Sequence, residues 1–345
     1  MEDKDLKMED IGEFGFIRSI RNGCHFCHKK LIKGIGDDCA VIGPYEDKVL
    51  LITTDMLIED IHFVLGKVPP EQIGGKAVAV NMSDIAAMGG RALHLFVSLA
   101  VPRGTNAATI HAIYRGIKEA CRSYGVNILG GDTSASPDKL MINMTVIGDA
   151  PQEEVLYRSG AALDDGVYVT GTLGDSAAGL KLINKDVSAP KHIASPLIEA
   201  HTRPVPFLKA GRMIARSRLA SAMIDLSDGL VADLWHVCEA GDLGASLIHE
   251  ALPISDELKA LAEENSFDPY NLAVSGGEDY RLLITVPRKN ADLFQRMFEK
   301  AVPCPIYCVG KIIEEKRIEI VRPDGTKEQL EAAGFDHFIP AQPAL

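Results

Sequence analysis

Residues 49–101 read VLLITTDMLIEDIHFVLGKVPPEQIGGKAVAVNMSDIAAMGGRALHLFVSLAV. The apolar run at 49–54 shows no alternation, which predicts a strand buried on both faces. Pro69-Pro70 then opens a helix whose face runs Ile73, Ala77, Val80, Asp84, and Gly89-Gly90 closes it. A second buried strand follows at 93–101. Acidic residues stand at the joints of this unit: Asp55 after Thr53-Thr54, Glu59-Asp60 beyond it, and Asp84 after Ser83.

Working outward, residues 1–30 read as a helical or irregular lead-in, and Gly36-Asp37-Asp38 precedes a strand at 39–42. A helix over 105–124 ends at Gly125. A short strand at 126–129 leads into Gly130-Gly131-Asp132, and another strand covers 140–147. The polar, turn-rich stretch 150–166 marks a boundary, giving domains 1–150 and 151–345. The second half repeats the style, with strands at 167–170, 222–225, 245–249, 281–286 and 306–309. Helices are expected at 176–183, from Pro206, from Asp228, at 255–264 and at 290–301, with a mobile polar stretch up to about Ser195. Two such halves with antiparallel meanders predict a two-domain α+β or mixed α/β architecture rather than one long parallel sheet.

Composition bounds the function. The 345 residues suffice for about two domains of ~150 residues each. A net charge of −12 argues against nucleic acid, whose polyanionic backbone needs a basic footprint. It leaves ATP open, because bound divalent cations invert the local potential. No run approaches the ~20 apolar residues of a membrane span, and the charged N-terminus lacks the apolar region of a signal peptide. A cytoplasmic protein without membrane contact is the expectation. Seven cysteines, an odd number, fit reduced thiols.

The chemistry lies in the acidic turns: Asp37-Asp38, Asp55, Asp84, Asp132, Asp225-Leu-Ser227-Asp228 and Glu278-Asp279. Converging strand ends so charged would repel unless cations sat between them. Mg²⁺ suits such a site, taking a few carboxylates, keeping waters and sharing its shell with phosphates. Asp38, Thr53 and Asp55 offer hard oxygen ligands on two segments one turn apart. Gly130-Gly131-Asp132 can bring backbone close to phosphate, and Asp225–Asp228 flank a helix start that attracts it. Ordinary helix capping by Ser227 or Asp228, and Asx-turns at the other sites, account for the same residues without function. No lysine-cradle loop or dinucleotide fingerprint occurs. His62 beside Phe63 reads first as a packing residue, and Arg158 as a surface arginine able to neutralise phosphate. Cys24-His-Phe-Cys27-His28 matches a c-type haem attachment pattern, but no export signal accompanies it. Asn81-Met-Ser-Asp and Asp225-Leu-Ser-Asp form a faint internal echo.

Taken together, these motifs resemble the thiamine-monophosphate kinase family. They include Gly34-Ile-Gly-Asp-Asp, Thr53-Thr-Asp-Met-Leu, Lys76-Ala-Val-Ala-Val-Asn-Met-Ser-Asp, Arg158-Ser-Gly-Ala, Ile224-Asp-Leu-Ser-Asp-Gly-Leu, Ser275-Gly-Gly-Glu-Asp-Tyr and Gly334-Phe-Asp-His-Phe. The resemblance runs in order from about residue 12 to 340. It implies the two-domain fold shared with aminoimidazole ribonucleotide synthetase, dimerising through the N-terminal sheet, with ATP over the C-terminal domain. It implies ATP-dependent, in-line phosphorylation of thiamine monophosphate to thiamine diphosphate, the last step of that biosynthesis, by a homodimer using several Mg²⁺ ions. On this likeness Asp38, Thr53, Thr54, Asp55, Asp84, Asp132, Asp225 and Asp228 hold metal. Thr53, Thr54, Tyr114, Gly131, Arg158 and Ser227 serve ATP, with Asp55, Asp132 and Arg158 closest to the chemistry. His62, Glu278 and Phe335 contact the thiamine substrate. Rival readings are a related synthetase acting on a carbonyl oxygen or selenide, and a nucleotide-binding scaffold without turnover.

Overall fold

The computed structural model describes residues 7–21, 24–26, 29–331 and 337–338. Helix α1 (Met8–Ile20) precedes an N-terminal unit of β1 (Leu31–Lys33), β2 (Ala40–Tyr45), β3 (Lys48–Ile58), α2 (Pro70–Ala87), β4 (Arg91–Pro102), α3 (Ala107–Tyr124), β5 (Asn127–Ser136) and β6 (Met141–Pro151). Its sheet has the order β1-β2-β3-β6-β4-β5, antiparallel except for the β4–β5 pair. The C-terminal unit begins with β7 (Gly166–Thr170), α4 (Asp175–Asn184), α5 (Lys191–Thr202), α6 (Leu208–Ser217), β8 (Ala222–Asp225), α7 (Leu230–Gly241) and β9 (Gly244–Ile248). It continues with α8 (Asp256–Asn265), α9 (Pro269–Ser275), β10 (Leu282–Val286), α10 (Ala291–Ala301), β11 (Ile306–Ile313), β12 (Ile318–Val321) and β13 (Lys327–Leu330). Its strands run β13-β12-β9-β11-β7-β10-β8, with β9 and β12 parallel.

Helix α2 organises the molecule. Pro70 at its first turn gives up an N–H that has no helical partner there. From Ile73 to Ala87 it is buried on almost every side. A helix that is apolar all round needs neighbours all round. It finds β3, β4, β6 and α3 in its own unit, and α5, α6 and β8 in the other. Near its C-terminal end Ala86 and Ala87 join Met223, Ile284, Phe294 and Phe298 in one apolar cluster, so the two units share a core.

Several elements differ from expectation for physical reasons. β3 buries Val49, Leu51, Thr53 and Leu57 and exposes Thr54 and Met56, so it is covered on one face only. β5 runs straight through Gly130-Gly131-Asp132, because its parallel pairing with β4 continues to Ser136. Residues 191–202 form α5 rather than a mobile stretch: Ile193 and Leu197, one turn apart, are both buried. β12 escapes a hydrophobic scan because Glu319 interrupts it, yet that carboxylate is buried and paired with Arg317 and Lys327. Among the described residues no helix is long and apolar enough to cross a membrane.

Candidate active site

Three carboxylates meet where the units join. One oxygen each from Asp38, Asp84 and Asp225 lies within 4.8 Å of the other two. Asp38 follows a turn into β2, Asp84 comes from α2, and Asp225 ends β8. The helical spacing of Asn81 and Asp84 puts both on the same face of α2. Asn81 accepts a hydrogen bond from the Asp55 backbone N–H at 3.0 Å, and Asp84 accepts one from the Thr53 hydroxyl. Strand β3 is thereby fixed against the helix with Thr53 and Asp55 toward the pocket.

The loop after β8 is held from two sides. Leu226 N–H donates to the Arg281 carbonyl, and Tyr280 N–H donates to that of Leu226, both at 2.8 Å, which prolongs the β8–β10 ladder. Neither Ser227 nor Asp228 caps α7. Asp233, buried one turn inside that helix, accepts from the backbone N–H groups of Asp228 and Gly229 at 3.1 Å each. The Asp228 carboxylate is thus left for the pocket. Gly229 has φ +118°, and a Cβ there would stand 3.0 Å from the Ser275 carbonyl, so only glycine serves.

Arg158 takes Oδ1 of Asp38 with two nitrogens, Nε at 3.1 Å and Nη2 at 2.5 Å, while its backbone N–H reaches Asp37. Among the described residues, the second oxygen of Asp38 and one oxygen of Asp225 are buried without a hydrogen-bond partner. Buried polar atoms are nearly always paired, so one guanidinium does not satisfy this pocket. Burial pushes the Asp38 carboxyl up to about 7, with Asp225 adding repulsion and Arg158 opposing it. Burial likewise lifts Asp228 to about 7, and Asp55 and Asp225 to about 6. Asp84 is raised well above the usual range by burial and by Asp55, Asp225 and Asp38. Hard oxygens short of positive charge are the donor set a divalent cation such as Mg²⁺ requires.

A second group forms beside it. Glu278 receives the Lys76 ammonium at 2.8 Å and stands 3.3 Å from His201 Nδ1. His62 accepts the Ile58 N–H at Nδ1, 3.0 Å away, and its backbone carbonyl lies 3.5 Å from the Lys76 ammonium. Ser227 joins the two groups, since its carbonyl accepts the Glu278 N–H at 2.7 Å.

The remaining sequence-predicted residues lie apart. The Thr54 hydroxyl, on the exposed face of β3, donates to the Met144 carbonyl at 2.9 Å. Asp132 is exposed on edge strand β5, in register with Ser98, Asn143 and Met56. It is three strand spacings, ~14 Å, from β3. Gly131 precedes it at φ +154°, and a Cβ there would strike the Val97 carbonyl at 1.7 Å. Tyr114 is half-buried on α3 against the N-terminal core. Phe335, Cys27 and His28 lie outside the described residues. Sequence reasoning passed over Lys76, Asn81, Asp233 and His201. The first three stand out as polar side chains within apolar stretches of a helix; His201 carries no comparable signal.

The family model described as AIR synthase related protein, N-terminal domain, matches residues 36–150, and its C-terminal counterpart matches 164–322. The chain is 35% identical over 333 residues to the thiamine-monophosphate kinase of Aquifex aeolicus (strain VF5), covering 96% of this chain and 100% of the relative. It is 36% identical over 328 residues to that of Escherichia coli (strain K12), covering 95% and 98%. A solved structure described as AaThiL complexed with AMPPCP and TMP matches with a TM-score of 0.84 at 34% identity, over 96% of this chain and 99% of that one. The expected two-unit mixed α/β fold is the fold found. By sequence, by fold and by the order of its acidic motifs, the chain belongs to the thiamine-monophosphate kinase family.

Proposed function

We propose that the protein transfers the γ-phosphoryl group of ATP to thiamine monophosphate, giving thiamine diphosphate and ADP. The observation that carries this reading is the meeting of Asp38, Asp84 and Asp225 with two buried oxygens left unpaired. Asp55 and Asp228 stand close enough for their charges to act on that group. The names of the relatives and the ligands of the similar structure supply the substrate pair.

Asp38, Asp55, Asp84, Asp225 and Asp228 would hold several Mg²⁺ ions, with Thr53 and the main chain of Thr54 beside them. When bound, the ions would neutralise phosphate charge, the chief obstacle when two polyanions must meet. The acceptor phosphate oxygen forms its bond to the γ-phosphorus in line as the bond to the β-bridging oxygen breaks. An ionised phosphate needs no separate base. Arg158, held on Asp38, would meet the transferred group and Ser227 would serve the nucleotide, while Gly131 and Tyr114, apart from the pocket within one chain, are assigned to it on the family likeness alone. His62 and Glu278 would contact the thiamine moiety; Phe335 as a further thiamine contact and Asp132, apart from the pocket within one chain, as a further metal ligand are assigned on the family likeness alone. Incubating the protein with γ-labelled ATP, Mg²⁺ and thiamine monophosphate should move label into thiamine diphosphate; no transfer at saturating Mg²⁺ would refute the reading.

The N-terminal sheet supports a homodimer. Its outer face exposes Met56, Phe96 and Leu129 along with Thr54, and β5 leaves one edge unpaired. Apolar side chains on an open sheet face mark a contact surface. Sedimentation equilibrium is expected to give the mass of two chains, and Met56→Asp with Phe96→Asp the mass of one. A wild-type monomer would exclude this face as the dimer contact.

A further inference from the structure

Lys76, His201 and Glu278 come from three separate elements, α2, α5 and the loop after α9, and close around one carboxylate. Their exposure is unequal. The side chains of Lys76 and His201 are 4% and 6% exposed, whereas that of Glu278 keeps 23%. Both bases thus lie deeper than the acid, whose carboxylate keeps partial exposure and is near enough to His62 for their charges to interact.

The hydrogen bonding has one consistent assignment. An ammonium only donates, so the 3.4 Å contact from Lys76 makes Nε2 of His201 an acceptor. The imidazole proton therefore sits on Nδ1, facing Glu278 Oε2 at 3.3 Å and the Ser176 hydroxyl at 3.1 Å. Burial, aided by Lys76, lowers the His201 pKa to about 4, which keeps the ring neutral. Lys76 thus pairs with Oε1 of Glu278, while the Nδ1–H of His201, in hydrogen-bond contact with the Ser176 hydroxyl, faces Oε2.

Glu278 also has φ +65°, a left-handed conformation that costs a non-glycine residue ~1 kcal/mol or more. Buried ion pairs are seldom the cheapest way to stabilise a fold, since well-packed apolar residues do as well. A strained, partly exposed carboxylate flanked by an ammonium and an imidazole suits a binding group kept ionised and aimed.

We infer that Lys76 and His201 are positioning residues that fix Glu278 toward the cationic, amino-bearing ring system of the phosphate-acceptor substrate. This rests on the reading of Glu278 as a thiamine contact. Neither residue would touch substrate; both act through the carboxylate.

The test is steady-state kinetics with the two substrates varied separately. Lys76→Met should raise KM for thiamine monophosphate about ten-fold or more, the loss of roughly one charge-assisted hydrogen bond, with KM for ATP within about two-fold of wild type. His201→Leu should raise the same KM, and His201→Asn, whose amide can stand in for the Nδ1–H donor, should restore most of it. Equal changes in both KM values, or no change, would overturn the inference. If Lys76→Met fails to fold, the His201 pair decides, because a structural role alone would not be rescued selectively for one substrate. A wild-type protein that leaves thiamine monophosphate unphosphorylated would instead sink the functional reading, and this inference with it.

Discussion

Asp84→Asn is expected to abolish turnover and, in metal-free buffer, to raise the melting temperature. Asp84 groups with Asp38 and Asp225, and burial with three neighbouring carboxylates pushes its carboxyl well above the usual range. Asparagine keeps the acceptor for the Thr53 hydroxyl and brings an amide donor toward the unpaired oxygens of Asp38 and Asp225. The variant should therefore relieve repulsion that the native side chain maintains. Its activity should fall about 10³-fold or more, ~4 kcal/mol of transition-state stabilisation, because the proposed ligand for the phosphate-bound cations is gone. Activity assays and thermal melts with and without Mg²⁺ check both halves. A variant less stable than wild type without metal would show that Asp84 serves the fold, not a cation.

The second large effect is the pH dependence of stability. Asp38 and Asp228 are raised to about 7, and Asp55 and Asp225 to about 6, mainly by burial. A carboxyl whose folded pKa lies above its unfolded value of ~3.9 binds more protons in the native state. Its stabilising contribution is complete below the unfolded pKa and is lost as pH rises through the folded one. His201 and His236, lowered to about 4 chiefly by burial, work the other way, adding stability as pH rises to ~6.5. Above pH 6.5 the histidines add only a small further gain, and the carboxylates, with Asp279 also raised to about 7, dominate. The metal-free protein should lose several degrees of Tm between about pH 6.5 and 8.5, at roughly 2–4 °C per kcal/mol for a domain of this size. If the ionised forms hold Mg²⁺ as proposed, the ion should cancel the loss and stabilise more at pH 8.5 than at 6.5. Melting curves at the two pH values that are parallel with and without Mg²⁺ would contradict the account.

The sequence made much of this legible, and where it did not the causes are physical. The span from 49 to 101 announced strand, helix and strand because Pro69-Pro70 and Gly89-Gly90 punctuate it and its apolar runs are long. It could not show that β3 is open on one face, since a continuous apolar run serves a covered sheet and a dimer contact alike. α5 was hidden by the polar run before it and by Pro196, and β12 by Glu319, whose partners lie at both ends of a hairpin. In the pocket, Asp38, Asp55, Asp84, Asp225 and Asp228 were readable as acids at element ends. Lys76 showed only as a charge inside an apolar helix, and His201 not at all, because their meaning comes from Glu278, a partner 202 positions away from one and 77 from the other. Capping chemistry also moved: Asp233 holds the amides that Ser227 or Asp228 was expected to serve.

The most direct measurement is anomalous diffraction from crystals soaked in Mn²⁺ with a non-hydrolysable ATP analogue. Peaks bridging Asp38, Asp84 and Asp225 to the nucleotide phosphates are expected. Nucleotide bound with no metal at these three carboxylates, or metal only at unrelated surface acids, would contradict the claim that the acidic turns form one cation-dependent phosphate site.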